Sequence, residues 1–112
     1  MKIALPTDGK TLEDEVAEHF GRAKNFLIFD TKKQSFEVYP NPEAKGEVIL
    51  PPDFLRRLQV DVVICFGLGA RAFNLFKSYK IKMKRATKKT IKENINLFQE
   101  GKLEDLEEKN IF

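Results

Sequence analysis

Residues 60 to 69 limit what this chain can fold into more than any other stretch. Val60-Asp61-Val62-Val63-Ile64-Cys65-Phe66 is apolar except for Asp61, and it ends at Gly67-Leu68-Gly69. A short, nearly continuous apolar run closed by glycines is the pattern of a strand buried on both faces, which places it centrally in a sheet and parallel to a neighbour. Such a strand needs helices on both faces of its sheet, so the fold class is α/β. The chain has 112 residues, 42% of them hydrophobic, enough for one core and one domain spanning residues 1–112. Ten Phe supply the bulk of that core.

The other elements follow from local pattern. Ile3 to Leu5 is a short apolar run stopped by Pro6-Thr7-Asp8-Gly9, a strand ending in a turn. Asn25 to Asp30 and Ser35 to Pro40 are rich in aromatic and β-branched residues and are joined by Thr31-Lys32-Lys33-Gln34, which predicts a hairpin. Pro51-Pro52-Asp53 opens a helix with Phe54, Leu55 and Leu58 on one face. Ala72, Phe73, Phe76 and Tyr79 mark a second helix, and Ile81 to Arg85 alternates apolar and basic as a partly exposed strand does. Thr90-Ile91-Lys92-Glu93 matches a capping box, with Gly101 at the stop of the third helix. The stretch from Thr11 to Phe20 fits either a short helix or an ordered loop. The order β-β-β-α-β-α-β-α predicts a five-stranded mixed sheet, an antiparallel meander of strands 1–3 plus parallel strands 4–5, flanked by helices.

Composition removes several function classes. Twenty Lys+Arg against 17 Asp+Glu give a formal charge of +3, a slight surplus rather than a polycation. The basic run from Lys77 to Lys92 has no repeated aromatic-basic interleaving for base stacking, its one aromatic being Tyr79 on the helical apolar face, and is partly balanced by acids from Glu100 to Glu108, so it is read as a solvated edge strand and not as a nucleic-acid surface. No apolar run approaches the roughly 20 residues of a membrane span. The one cysteine excludes an intrachain disulfide and an all-cysteine metal site, and a cytoplasmic location is expected.

Three places can carry chemistry. Gly67-Leu68-Gly69-Ala70-Arg71 is a glycine-rich turn between a buried strand and a helix, where free first-turn amides and the Arg71 charge favour an anion. It satisfies the loose pattern G-x-G-x-x-A but lacks the acidic residue about 20 positions on that a dinucleotide site needs. Glu18-His19-Phe20-Gly21-Arg22 brings together the only histidine, a glycine and an arginine; imidazole ligates transition metals. Cys65 is either a small buried hydrophobe or a thiolate ligand near the turn. Asp8, Asp30 and Asp61 lie near strand ends and would have to converge to hold a nuclease metal.

At these residues the chain resembles the dinitrogenase iron-molybdenum cofactor biosynthesis family. The matching pieces are Lys2-Ile3-Ala4-Leu5-Pro6, Glu18-His19-Phe20-Gly21-Arg22-Ala23, Phe26 to Asp30, Asn41-Pro42, Asp61 to Ile64, Gly67 to Phe73, Thr90-Ile91 and Gly101-Lys102-Leu103. The resemblance implies a ribonuclease-H-like fold and a non-enzymatic binder or carrier of a preformed, anionic iron-sulfur or iron-molybdenum-type cluster. Under it, His19 and Cys65 are the expected metal ligands, and His19, Gly21, Arg22, Gly67, Gly69 and Arg71 the expected cofactor-binding residues. Assembly and acceptor proteins are the implied partners, and a homodimer would add ligands that one chain lacks. Relatives often carry glycine with histidine or cysteine after Asn41-Pro42 and proline after the second turn glycine. Here Glu43-Ala44-Lys45-Gly46-Glu47 offers no soft ligand and Ala70 follows Gly69. The alternatives are a metal-free anion or nucleotide-phosphate binding module and a nuclease-like nucleic-acid binder.

Overall fold

A computed structural model describes residues 1–112. Its strands are β1 (Lys2–Thr7), β2 (Asn25–Asp30), β3 (Ser35–Pro40), β4 (Val62–Cys65) and β5 (Lys82–Arg85), and its helices α1 (Pro51–Arg57), α2 (Ala70–Ser78) and α3 (Ile91–Gln99). They form one sheet in the order β3-β2-β1-β4-β5. β1 pairs antiparallel with β2 and β2 with β3, whereas β4 runs parallel to β1 and to β5. The expected mixed sheet is therefore present, and its order is compatible with the ribonuclease-H-like label.

The two-residue period of the central strands divides the core. Ala4, Val63 and Cys65 face α1 and α2, packing with Leu55, Phe73 and Phe76. Ile3, Leu5, Val62 and Ile64 face the other way, toward Ile91 and Ile95 of α3 and Val16. Full burial of β4 on both faces is what its unbroken apolar sequence requires. Neither α2 nor α3 exceeds nine residues, and no helix is long and apolar enough to cross a membrane.

Thr11 to His19 is an ordered loop rather than a helix. Bridges from Val16 to Thr7 and from Glu15 to Thr90 hold it, and the buried Thr7 hydroxyl donates to the Glu15 carbonyl at 2.8 Å. The lysine run is also better explained. Edge strand β5 is covered by the chain after α3: the Arg85 amide donates to the Glu104 carbonyl and the Leu106 amide to the Met83 carbonyl, both at 2.9 Å, while Lys84 pairs with Asp105 at 2.7 Å. The acids after residue 100 close a sheet edge that would otherwise be open to another chain, so the solvated-edge expectation is corrected.

Candidate functional site at the carboxyl end of β4

β4 ends at Cys65, and the Gly67-Leu68-Gly69 turn delivers the chain to α2. Gly69 is the residue that caps this helix, with φ −70° and ψ 159°, and no side chain bonds to the cap. The first-turn amides of α2 thus lack a side-chain partner and present the positive end of the helix dipole. Facing this turn is a short 3-10 turn, Phe20–Arg22. Its position is set by Phe20, which is buried against Phe26 and Phe76 with ring centroids 5.0 and 5.6 Å away. With Phe20 anchored inward, Gly21 and Arg22 are exposed.

Gly21, Gly69 and Arg71 line one cleft of about 230 Å³, with Phe20 and Glu43 also on its wall. A Cβ built on Gly69 would meet nothing within 4 Å, and one on Gly21 only the Glu43 carboxylate at 3.9 Å. Both glycines therefore leave open space that a side chain would fill, and the two motifs separated by some forty residues of sequence share one concavity.

The other expected site residues are placed differently. His19 and Arg22 line an adjoining depression of about 600 Å³ with Asp8, Asp14, Glu15 and Glu18. Gly67 does not face the cleft; a Cβ there would come within 2.7 Å of Phe112 Cζ and 2.9 Å of the Asn110 carbonyl oxygen. The same Phe112 ring lies 5.9 Å from the His19 ring, centroid to centroid. His19 and the Gly67 turn thus share a side of the molecule, with Phe112 contacting both.

Cys65 is 1% exposed and packed in the core with Phe20, Leu68 and Phe73. Burial pushes its thiol up to about 12, against a weaker opposing hydrogen bond from the Gly67 amide. That favours the buried-hydrophobe alternative over a thiolate ligand. Native protein at pH 8 is expected to resist iodoacetamide, with thiolate at about one part in ten thousand, and to be alkylated fully only in denaturant. Rapid native labelling would show that the thiol reaches the surface.

The acidic residues at strand ends do not converge. Asp61 Oδ2 accepts from the Lys2 amide and Asp30 pairs with Lys2 in register, whereas Asp8 follows the far end of β1 at Thr7. No group of three His, Cys, Asp or Glu is placed to hold a metal ion. The nuclease alternative, which needed these carboxylates together, is not carried forward.

Two contributors to the cleft escaped the sequence. Asn41 is fully buried; its Nδ2 donates to the carbonyls of Ala23 at 2.9 Å and Gly21 at 3.4 Å, and its Oδ1 accepts from the Glu43 amide at 3.0 Å. It ties the Phe20–Arg22 turn to the Glu43–Lys45 turn and so fixes two walls of the cleft. Glu43 supplies its one carboxylate. The Asn-Pro pair signals a turn, but not which distant carbonyls the amide will hold.

The family model for the dinitrogenase iron-molybdenum cofactor matches residues 1–101. The chain belongs to this family. A protein of Methanocaldococcus jannaschii with no assigned role is 32% identical, covering 96% of this chain and 92% of its own. A Thermotoga structure provisionally named NifB is 33% identical with a TM-score of 0.80, covering 93% of this chain and 91% of that one. The apo orange protein of Desulfovibrio gigas is 21% identical with a TM-score of 0.83 over 93% of this chain and 91% of that one, and shares the fold. The family match takes in every expected site residue and stops before Asn110 and Phe112.

Proposed function

We propose that this chain is a non-catalytic carrier that takes up a preformed, anionic iron-sulfur or molybdenum-type cluster as cargo and passes it between assembly and acceptor proteins. The observation that carries the proposal is the cleft between Gly21 and Gly69, open on both glycine faces beside the side-chain-free cap of α2 and Arg71. Backbone amides and a guanidinium suit the sulfide surface of an anionic cluster. His19, exposed on the neighbouring turn, is the proposed ligand to metal. With Cys65 buried, the chain offers few bonds to the cargo, which fits uptake and release better than permanent retention.

Charge near the cleft is not neutralised by contact. All four ion pairs use lysines, leaving Arg71 and its neighbours Arg56 and Arg57, which line an adjoining groove, without a carboxylate partner. The opposing charges are Glu43 in the cleft and Asp53 in the groove. Glu43→Gln is expected to tighten anion binding about threefold, because it removes a like charge at the wall of the cleft; unchanged affinity would place the anion elsewhere.

The test is anaerobic titration with tetrathiomolybdate and with a thiolate-ligated cubane iron-sulfur cluster. A coloured complex of one cluster per chain, weakened in His19→Ala and in Arg71→Ala, is expected. Colourless protein eluting free of metal would refute the carrier function. The second reading, a metal-free anion or nucleotide-phosphate module, draws on the same uncapped turn and on the lack of a converging ligand set. Stabilisation by adenine nucleotides that depends on Arg71 but not on His19 would select it.

A further inference from the structure

The chain after α3 has two parts with different anchorage. Leu103 and Leu106 are buried, at 6% and 5% exposure, and the segment between them is paired along β5. Beyond Glu107 the anchorage is lighter: half-buried Ile111 packs against the edge of the core and bridges Leu68, and no residue there is fully buried. After a short turn at Glu108–Asn110, the Leu68 amide donates to the Asn110 carbonyl at 3.3 Å and the Phe112 amide to the Leu68 carbonyl at 2.9 Å. Phe112 itself is 71% exposed, although its ring touches both His19 and the face of Gly67. A segment tied down by two backbone bonds to Leu68 and one half-buried side chain, with a mostly exposed apolar ring on top of a glycine, opens at lower cost than the core strands while the fold stays intact.

We propose that Asn110 to Phe112 is a displaceable strap over the β4–α2 turn, and that its departure exposes Gly67, the Leu68 amide and the inner side of the His19 ring to cargo. The proposal rests on the carrier function for the identity of the cargo, but not for the motion itself. It also explains Gly67. The backbone there does not require positive φ, and the nearest obstacles to a Cβ are Phe112 and the Asn110 carbonyl. Gly67 is therefore a glycine because the strap lies on it. Removing the strap should remove the need for glycine, a coupling that a double-substitution cycle measures directly.

Amide exchange tests the motion without cargo. Leu68 and Phe112 amides are expected to exchange at least a hundredfold faster than those of β4. Gly67→Ala should speed Leu68 exchange at least tenfold in the full chain, yet neither speed exchange nor lower the melting temperature in a chain stopped after Glu107, where the loss of unfolded-chain freedom leaves alanine neutral or slightly stabilising. Phe112→Ala should shift the His19 ring protons by removing a ring current, with the fold retained. With tetrathiomolybdate as probe, Phe112→Ala and the shortened chain are expected to bind at least fivefold more tightly than the full chain, and saturating the full chain should remove protection at Phe112. Leu68 and Phe112 exchanging only as fast as β4 would overturn the strap, as would equal measurable affinity in all three chains. Absence of binding in every chain, with fast Leu68 exchange, would refute the carrier function and leave the strap supported.

Discussion

Gly69→Asp is expected to raise the melting temperature by about 4 °C while lowering affinity for tetrathiomolybdate more than tenfold. Gly69 has ordinary extended torsions, φ −70° and ψ 159°, and open space where a side chain would go, so aspartate enters without strain. Its carboxylate accepts from the first-turn amides of α2, adding a few tenths of a kcal/mol over glycine as cap. The helix dipole adds about 0.3–1 kcal/mol more, and the unfolded chain loses freedom on replacement of glycine. The sum, about 1 kcal/mol, corresponds to roughly 4 °C in a domain of this size. The same carboxylate occupies the amides that the cargo needs and places a negative charge beside Arg71. A fold made more stable and a site made useless is the signature of a cap left vacant for function. Gly69→Asp that binds as well as the parent would show that the α2 terminus has no part in binding.

Asn41→Ala should cost about 3 kcal/mol, read as a fall in denaturant midpoint at constant slope. The side chain is fully buried and makes three hydrogen bonds. Alanine strands the Ala23 carbonyl and the Glu43 amide, at about 1–3 kcal/mol for each group left unpaired. The control is Asn94→Ala. Asn94 is equally buried and bonds the Thr87–Thr90 loop through Thr87, Lys88 and Thr90, on the α3 side of the sheet. Its loss should cost a similar amount. Only Asn41→Ala should also loosen the cleft, lowering probe affinity severalfold at temperatures where both variants remain folded. Equal affinity in the two would mean that the tie between the two short turns does not shape the site.

The fold was readable because its strongest signals are local. The apolar run at β4, the aromatic hairpin strands and the capping box at Thr90, whose hydroxyl accepts from the Glu93 amide at 3.2 Å, each report a backbone state within a few residues. The site was readable in part. Glycines at Gly21 and Gly69 mark places where a Cβ is absent, and Phe20 between polar neighbours marks an anchor. Pattern alone could not tell a glycine that leaves room for a ligand from one that another part of the chain lies against, and Gly67 lies against Phe112 and Asn110. Cys65 illustrates the same limit: two residues before a turn can be at the surface or beneath it, and the strand's alternation turned this thiol toward Phe73. Phe112 carried no sequence signal, because its contact with His19 depends on the path of the chain across β5.

The central claim is that an anionic cluster sits between Gly21 and Gly69. It is tested most directly by following backbone amide shifts of the isotope-labelled chain during anaerobic titration with tetrathiomolybdate. The largest changes should fall on His19, Gly21, Gly69, Ala70 and Arg71, with those of Leu68 and Phe112 as the strap leaves, saturating together at one equivalent. Changes confined to the Lys77 to Lys92 run, or spread evenly over the lysines without saturation, would contradict it.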